Sequence, residues 1–140
     1  MSKVAVVYWS GTGNTAAMAQ AVSDGATEKG AEVNIVPAGQ FSDGDVAAYD
    51  AIAFGCPAMG AEQLEESEFE PMFESVKGSL SGKKIALFGS YGWGDGEWMR
   101  LWETDAKAAG ANLATDSVMA NNAPDDDAIM ACKNLGAALA

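Results

Sequence analysis

The sequence predicts an α/β fold, one doubly wound parallel sheet of five strands in the order 2-1-3-4-5, and three observations carry that prediction. Apolar runs alternate with amphipathic stretches five times along the 140 residues, which is the pattern of strands joined by helical crossovers. Three of the runs, VAVVY at 4–8, AIAF at 51–54 and IALF at 85–88, are apolar throughout, as strands buried on both faces must be. The other two are interrupted by polar residues and suit the edges of the sheet. No repeat or low-complexity linker divides the chain, so residues 1–140 are expected to form one domain.

The first strand is expected at 3–9, and the helix behind it places Met18, Val22 and Ala26 on one face at i, i+4, i+8. The second strand, 32–36, alternates Val33 and Ile35 with Glu32 and Asn34. Its crossover, around 43–49, is short and weakly patterned. A third strand at 51–55 leads through an acid-rich segment to a helical pattern at 69–76, and a fourth strand follows at 84–89. Met99, Trp102 and Ala106 then repeat the helical spacing. A fifth strand at 113–119 mixes Leu113, Val118 and Met119 with Thr115, Asp116 and Ser117, and the last helix carries Ile129, Cys132, Leu135 and Leu139 on one stripe. With the first, third and fourth strands inside, the order places a ligand crevice beyond the carboxyl ends of the first and third.

Composition excludes several functions. Twenty acidic against eight basic residues give a net charge of -12, which is incompatible with neutralising a phosphate backbone and disfavours an anionic membrane surface. Partners with basic faces are expected instead. The absence of histidine removes the commonest general base and metal ligand. Cys56 and Cys132 stand far apart with no CxxC spacing, so no metal site or redox dithiol is expected, and free thiols suit a reducing cytoplasm. The apolar run at 4–9 is too short for a signal core or a membrane span.

The chemistry concentrates in three loops. SGTGNT, 10–15, runs from the first strand straight into a helix. Gly11 and Gly13 let the backbone approach a ligand, while Ser10, Thr12, Asn14 and Thr15 offer neutral donors beside the helix N-terminus. Alone, the segment reads equally well as a glycine turn with a hydroxyl cap; its position after the first strand tips it toward phosphate. It lacks the lysine of a P-loop, and Ala16 fills the third glycine position of a dinucleotide fingerprint, so a single terminal phosphate held by neutral groups is expected. GCPAMGAE at 55–62 and GSYGWGDGEW at 89–98 bring Met59, Tyr91, Trp93 and Trp98 to the same edge. Trp98, near a helix start, is expected to pack inward, and Cys56 to be a small buried hydrophobe. Trp93, between Gly92 and Gly94, has no periodic neighbours and is read as a platform for a planar ligand.

YWSGTGNT (8–15), CPAMGAE (56–62), ESEFEP (66–71) and KKIALFGSYGWGDGEWM (83–99) together resemble a short-chain flavodoxin of the anaerobic-bacterial type. The resemblance implies a flavodoxin-like fold and non-covalently bound flavin mononucleotide (FMN) in a low-potential one-electron carrier that shuttles between semiquinone and hydroquinone. It implies no catalytic residue of its own. Ser10, Thr12, Asn14 and Thr15, with the backbone of Gly11 and Gly13, would hold the 5'-phosphate. Trp93 would stack on the outer ring face and Met59 on the inner one, while Ser90 and Gly92 would meet the pyrimidine end through backbone groups. Glu62 would accept from the ring N3-H and Asn122 would lie against the ring edge, with Pro57, Ala58, Gly60, Ala61, Tyr91 and Gly94 completing the loops. The implied partners are ferredoxin-type reductases, oxidoreductases or hydrogenases, approached by a monomer.

Two positions depart from that pattern. Gly60-Ala61 stands where a Gly-Asp or Gly-Asn pair is expected beside flavin N5, and Pro57 stands where related loops often carry serine. A type II' turn needs positive φ at its first central residue and negative φ at its second, so Gly60 and Ala61 can still support the peptide flip that places the Gly60 carbonyl against the protonated N5. Glu62, Glu65, Glu66, Glu68, Glu70 and Glu74, with Asp95, Glu97 and Asp125 to Asp127, are read mainly as solvated surface, and their summed field should lower the second potential. Two rival functions are weaker. A quinone or nitro-compound reductase on this fold needs a substrate pocket for which the chain has little material. A phosphoryl switch or phosphatase needs an aspartate after the third strand, or a cysteine loop ending in arginine, and neither is present.

Overall fold

The computed structural model describes residues 2–11, 13–59, 63–92, 94 and 96–140. Its strands are β1 (Lys3–Tyr8), β2 (Glu32–Pro37), β3 (Ala51–Gly55), β4 (Lys84–Tyr91), β5 (Asn112–Leu113) and β6 (Val118–Asn121). The helices are α1 (Asn14–Glu28), α2 (Phe69–Lys77), α3 (Glu97–Ala108) and α4 (Asp126–Leu139). All described ladders are parallel and run in the order β2-β1-β3-β4-β5, with β6 also pairing β4. The predicted order therefore holds.

The expected fifth strand is two. β5 pairs with Lys84 and Ile85, and β6 with Phe88 to Tyr91. From Ile85 to Phe88 the edge chain advances from Leu113 to Val118, so it carries extra residues that bulge out of the ladder. Asp116 and Ser117 lie in this bulge, where Ser117 Oγ donates to Glu103 Oε2 at 2.7 Å, an alternative to ladder pairing. β6 in turn lengthens β4 past the predicted end at Gly89, so Ser90 and Tyr91 stand on a strand rather than in a loop. The weakly patterned second crossover is a pair of 3-10 turns, Ala38–Gln40 and Asp43–Ala48, the latter opened by a Ser42–Asp45 capping box. Gly39, Gly44 and two aspartates leave too little helix propensity for more.

The strictly apolar strands split by alternation between two helical layers. Val4, Val6, Ala51, Ala53, Ala86 and Phe88 face α1 and α4, meeting Met18, Val22, Cys132 and Leu135. Ala5, Val7, Ile52, Phe54, Ile85 and Leu87 face α2 and α3. This second layer is aromatic: Phe54 meets Phe73 edge-on at 5.3 Å, and Phe69 meets Trp102 at 5.4 Å and 87°. The apolar stripes of α1, α3 and α4 are where their periodicity places them, with Met18, Val22, Ala26, Met99, Trp102, Ala106, Cys132, Leu135 and Leu139 all buried. On edge strand β2 the pattern is looser than the sequence suggests: Val33 and Val36 are half-buried while Ile35 is 39% exposed. Among the described residues no helix is long and apolar enough to cross a membrane.

Small residues on the first layer let α1 and α4 approach until their backbones touch. A side-chain carbon at Gly25 would collide with the Lys133 carbonyl, and one at Gly136 with the Val22 carbonyl. Gly136→Ala is therefore expected to lower the unfolding free energy by about 1–3 kcal/mol through overpacking, read from the midpoint of a urea titration. Gly78→Ala, at φ -66 with no atom within 4 Å, should change it by less than about 0.5 kcal/mol. Equal midpoints for the two variants would contradict the close contact.

Candidate functional site

The chain leaving β1 and β3 stays beside its neighbour strand because backbone hydrogen bonds continue past both carboxyl ends. Trp9 N donates to Gly55 O at 3.0 Å, Cys56 N to Phe88 O at 3.1 Å and Ala58 N to Ser90 O at 3.0 Å. The loops that follow are thus held side by side around a cleft of about 280 Å3. Trp9, Ser10, Gly11, Asn14 and Thr15 form one wall, Pro57, Ala58 and Met59 a second, and Ser90, Tyr91 and Gly92 a third, with Asn122 at the rim.

The first wall is built for an anion. Gly13 adopts φ 95, a left-handed geometry that glycine takes without strain, and α1 starts on it with no side-chain cap. The first backbone N–H groups of such a helix have no intrahelical acceptor, and its dipole is positive there. Gly13 N donates to Ser10 Oγ at 3.1 Å, which closes the turn. Thr15 and Ser90, 1% and 5% exposed, place their hydroxyl oxygens 3.2 Å apart beneath the turn. Among the described residues no lysine or arginine lines the cleft.

The second wall is pinned at its base. Met59 and Gln63 exchange both backbone hydrogen bonds, each at 2.8 Å, so residues 60–62 are bracketed by an antiparallel bridge. Cys56 is buried; its Sγ accepts from Glu65 N at 3.3 Å, and burial above all pushes the thiol up to about 12, which keeps it protonated. It is the inert hydrophobe that the sequence suggests. Glu65 is a correction to its reading as surface charge. It is 5% exposed and accepts from the N–H groups of Ser67, Glu68 and Phe69 and from the Ser67 hydroxyl, capping the start of α2. Burial works to raise its carboxyl above the usual range, and these hydrogen bonds outweigh burial and hold it below that range.

On the third wall Tyr91 packs against Trp98 at 5.5 Å, and Trp98 turns inward as expected, its Nε1 donating to Cys56 O at 3.2 Å. Asn122, at φ 59, donates its N–H to Tyr91 O at 2.7 Å. A side-chain carbon on Gly92 would lie 3.2 Å from Asn122 Oδ1, so the glycine admits this close approach.

Of the residues singled out by sequence, Ser10, Gly11, Asn14, Thr15, Pro57, Ala58, Met59, Ser90, Tyr91, Gly92 and Asn122 converge on the cleft. Gly13 and Gly94 stand outside its lining and are exposed, at φ 95 and φ 80. Thr12, Gly60, Ala61, Glu62 and Trp93 lie outside the described residues. Trp9 was missed. Its ring borders the cleft and lies over Gly11, where an added side-chain carbon would stand 3.0 Å from it. The signal available was its place at the last position of the first apolar run, next to the glycine turn. Among the described residues no group of three or more histidine, cysteine, aspartate or glutamate side chains could hold a metal ion.

An uncapped helix start with neutral donors, joined to walls of Trp9, Pro57, Met59 and Tyr91, suits a phosphate monoester carrying a flat apolar ring. The donor set therefore fits FMN. Comparison with known proteins agrees. The Flavodoxin family model matches residues 6–136. A flavodoxin of Megasphaera elsdenii is 46% identical over 98% of this chain and 98% of its own, and one of Clostridium beijerinckii is 46% identical over 86% and 88%. The solution structure of the two-electron reduced Megasphaera elsdenii flavodoxin superposes with a TM-score of 0.90, at 46% identity, covering 97% of both chains. The chain belongs to the flavodoxin family, the FMN-binding electron carriers.

Proposed function

We propose that residues 1–140 act as one monomeric, cytoplasmic unit that carries electrons singly and at low potential between redox enzymes with basic docking faces, such as ferredoxin-type reductases, oxidoreductases or hydrogenases. The observation that carries this reading is the convergence of an anion-binding helix start and two apolar loops in one cleft. Bound FMN supplies a ring that takes up and releases one electron at a time. Every other task falls to the chain.

Ser10, Thr12, Asn14 and Thr15, with the N–H groups of Gly11 and Gly13, hold the phosphate without a fixed positive charge. Met59 and Trp93 enclose the ring between a thioether and an indole, displacing water and lowering the local dielectric. The backbone of Ser90 and Gly92, the Glu62 carboxylate and Asn122 orient the polar edge, while Pro57, Ala58, Tyr91 and Gly94 shape the loops around it. The bridge between Met59 and Gln63 supports a tip in which the Gly60–Ala61 peptide can present its carbonyl to the ring. Ala61 needs only negative φ there, so replacing the usual polar residue leaves the turn possible.

Exposed Glu66, Glu70 and Glu74 lie along the segment leaving this tip. At an effective dielectric near 20, each unit charge at ~8 Å opposes added negative charge by roughly 2 kcal/mol before screening. That field favours release of the second electron and attracts a basic partner. A reductase acting on its own substrate would need a second pocket beside this cleft, and nothing in the geometry of the cleft calls for one.

Trp93→Ala should weaken FMN binding roughly three- to tenfold, measured by recovery of flavin fluorescence on dilution of the holoprotein. An unchanged affinity would remove the stacking assignment. Electron transfer to a basic reductase should slow steeply as salt rises from low to physiological strength; a rate flat across that range would remove the electrostatic partner assignment.

A further inference from the structure

Ser90 is expected to serve the ring through its backbone, yet its side chain faces the other way in function. Its hydroxyl lies beneath the phosphate turn, 3.2 Å from Thr15 Oγ1, and joins the end of β4 to the first turn of α1. Both hydroxyls are almost wholly buried, and among the described residues neither side chain has another recorded hydrogen bond. The Ser90 carbonyl is already an acceptor for Ala58 N. The side-chain contact is therefore a separate feature from the strand's backbone pairing.

Proton counting gives the pair a direction. Two hydroxyls carry two protons, and one hydrogen bond between them uses one, so one donor is left over. Thr15 is the second residue of α1, where uncapped N–H groups and the helix dipole favour an anion. An anion seated there accepts a hydrogen bond from the Thr15 hydroxyl, which obliges Ser90 to be the donor within the pair. A hydroxyl that accepts one hydrogen bond is a better donor of the next. Without Ser90, Thr15 Oγ1 loses the one partner recorded for it among the described residues, and nothing fixes the direction of its hydroxyl.

We propose that Ser90 is a positioning residue for the phosphate, acting through Thr15, so that a residue on the ring side of the cleft sets selectivity for FMN over flavins that lack the phosphate. The inference rests on the cofactor assignment above. Because Ser90 sits at the end of the same strand that leads into the Gly92–Gly94 loop, one residue serves both ends of the ligand, by its side chain at one and its backbone at the other.

The test compares FMN and riboflavin affinities of the full chain by flavin fluorescence. Ser90→Ala should weaken FMN roughly tenfold, the order expected for a buried hydrogen bond to a charged group, and riboflavin by less than about twofold. Ser90→Thr, which keeps the hydroxyl, should restore FMN affinity. In a Thr15→Val background, Ser90→Ala should cost little more, because the path to the phosphate is already cut. Equal losses for both flavins, or additive losses in the double variant, would overturn the inference while leaving the cofactor assignment standing. A wild-type chain that binds neither flavin would overturn both.

Discussion

The site depends on a backbone ladder that outlasts its strands. Beyond the carboxyl ends of β1 and β3, the pairs Trp9–Gly55, Cys56–Phe88 and Ala58–Ser90 carry the hydrogen bonds one residue past β1 and as far as three past β3. These bonds lie at the edge of a sheet whose central strands are buried on both faces, where an unpaired backbone group is costly. Loops that would otherwise diverge are held within one ligand's width. Trp98, bonded to the Cys56 carbonyl from the aromatic layer, ties the same edge to α3. Everything chemical about the cleft is assembled on this frame.

The walls differ in how firmly they are set. The wall at the start of α1 is backed by a helix that packs backbone to backbone on α4, so its uncapped N-terminus points from a closely packed element. The other two walls are held by the Met59–Gln63 bridge on one side and by Asn122 over Gly92 on the other. Charge follows the same division. Glu65 is drawn inside to cap α2, whereas Glu66, Glu70 and Glu74 remain exposed.

Strand order was legible because burial on two faces leaves an unmistakable mark: Val4 to Val7, Ala51 to Phe54 and Ile85 to Phe88 admit no polar residue. The place of Ser10, Gly11, Asn14 and Thr15 in the cleft was legible from their position after the first strand of a doubly wound sheet, since the glycines and hydroxyls alone suit a capped turn equally well. The split of the fifth strand was not, since Thr115, Asp116 and Ser117 suit an edge strand as well as a bulge, and Ser117 chooses through Glu103, a residue on another element. Glu65 looked like one more acid in a run of six glutamates from Glu62 to Glu74, because capping depends on where α2 starts. The Thr15–Ser90 contact joins residues 75 apart and became visible only when β6 extended β4 to Tyr91.

The central claim is that this frame holds FMN so as to separate its two electron transfers and make the second one unfavourable. An anaerobic spectroelectrochemical titration of the holoprotein addresses it directly. Two resolved one-electron steps, the second at markedly lower potential than that of free FMN, are the expected result. A single two-electron step near the potential of the free cofactor would contradict it.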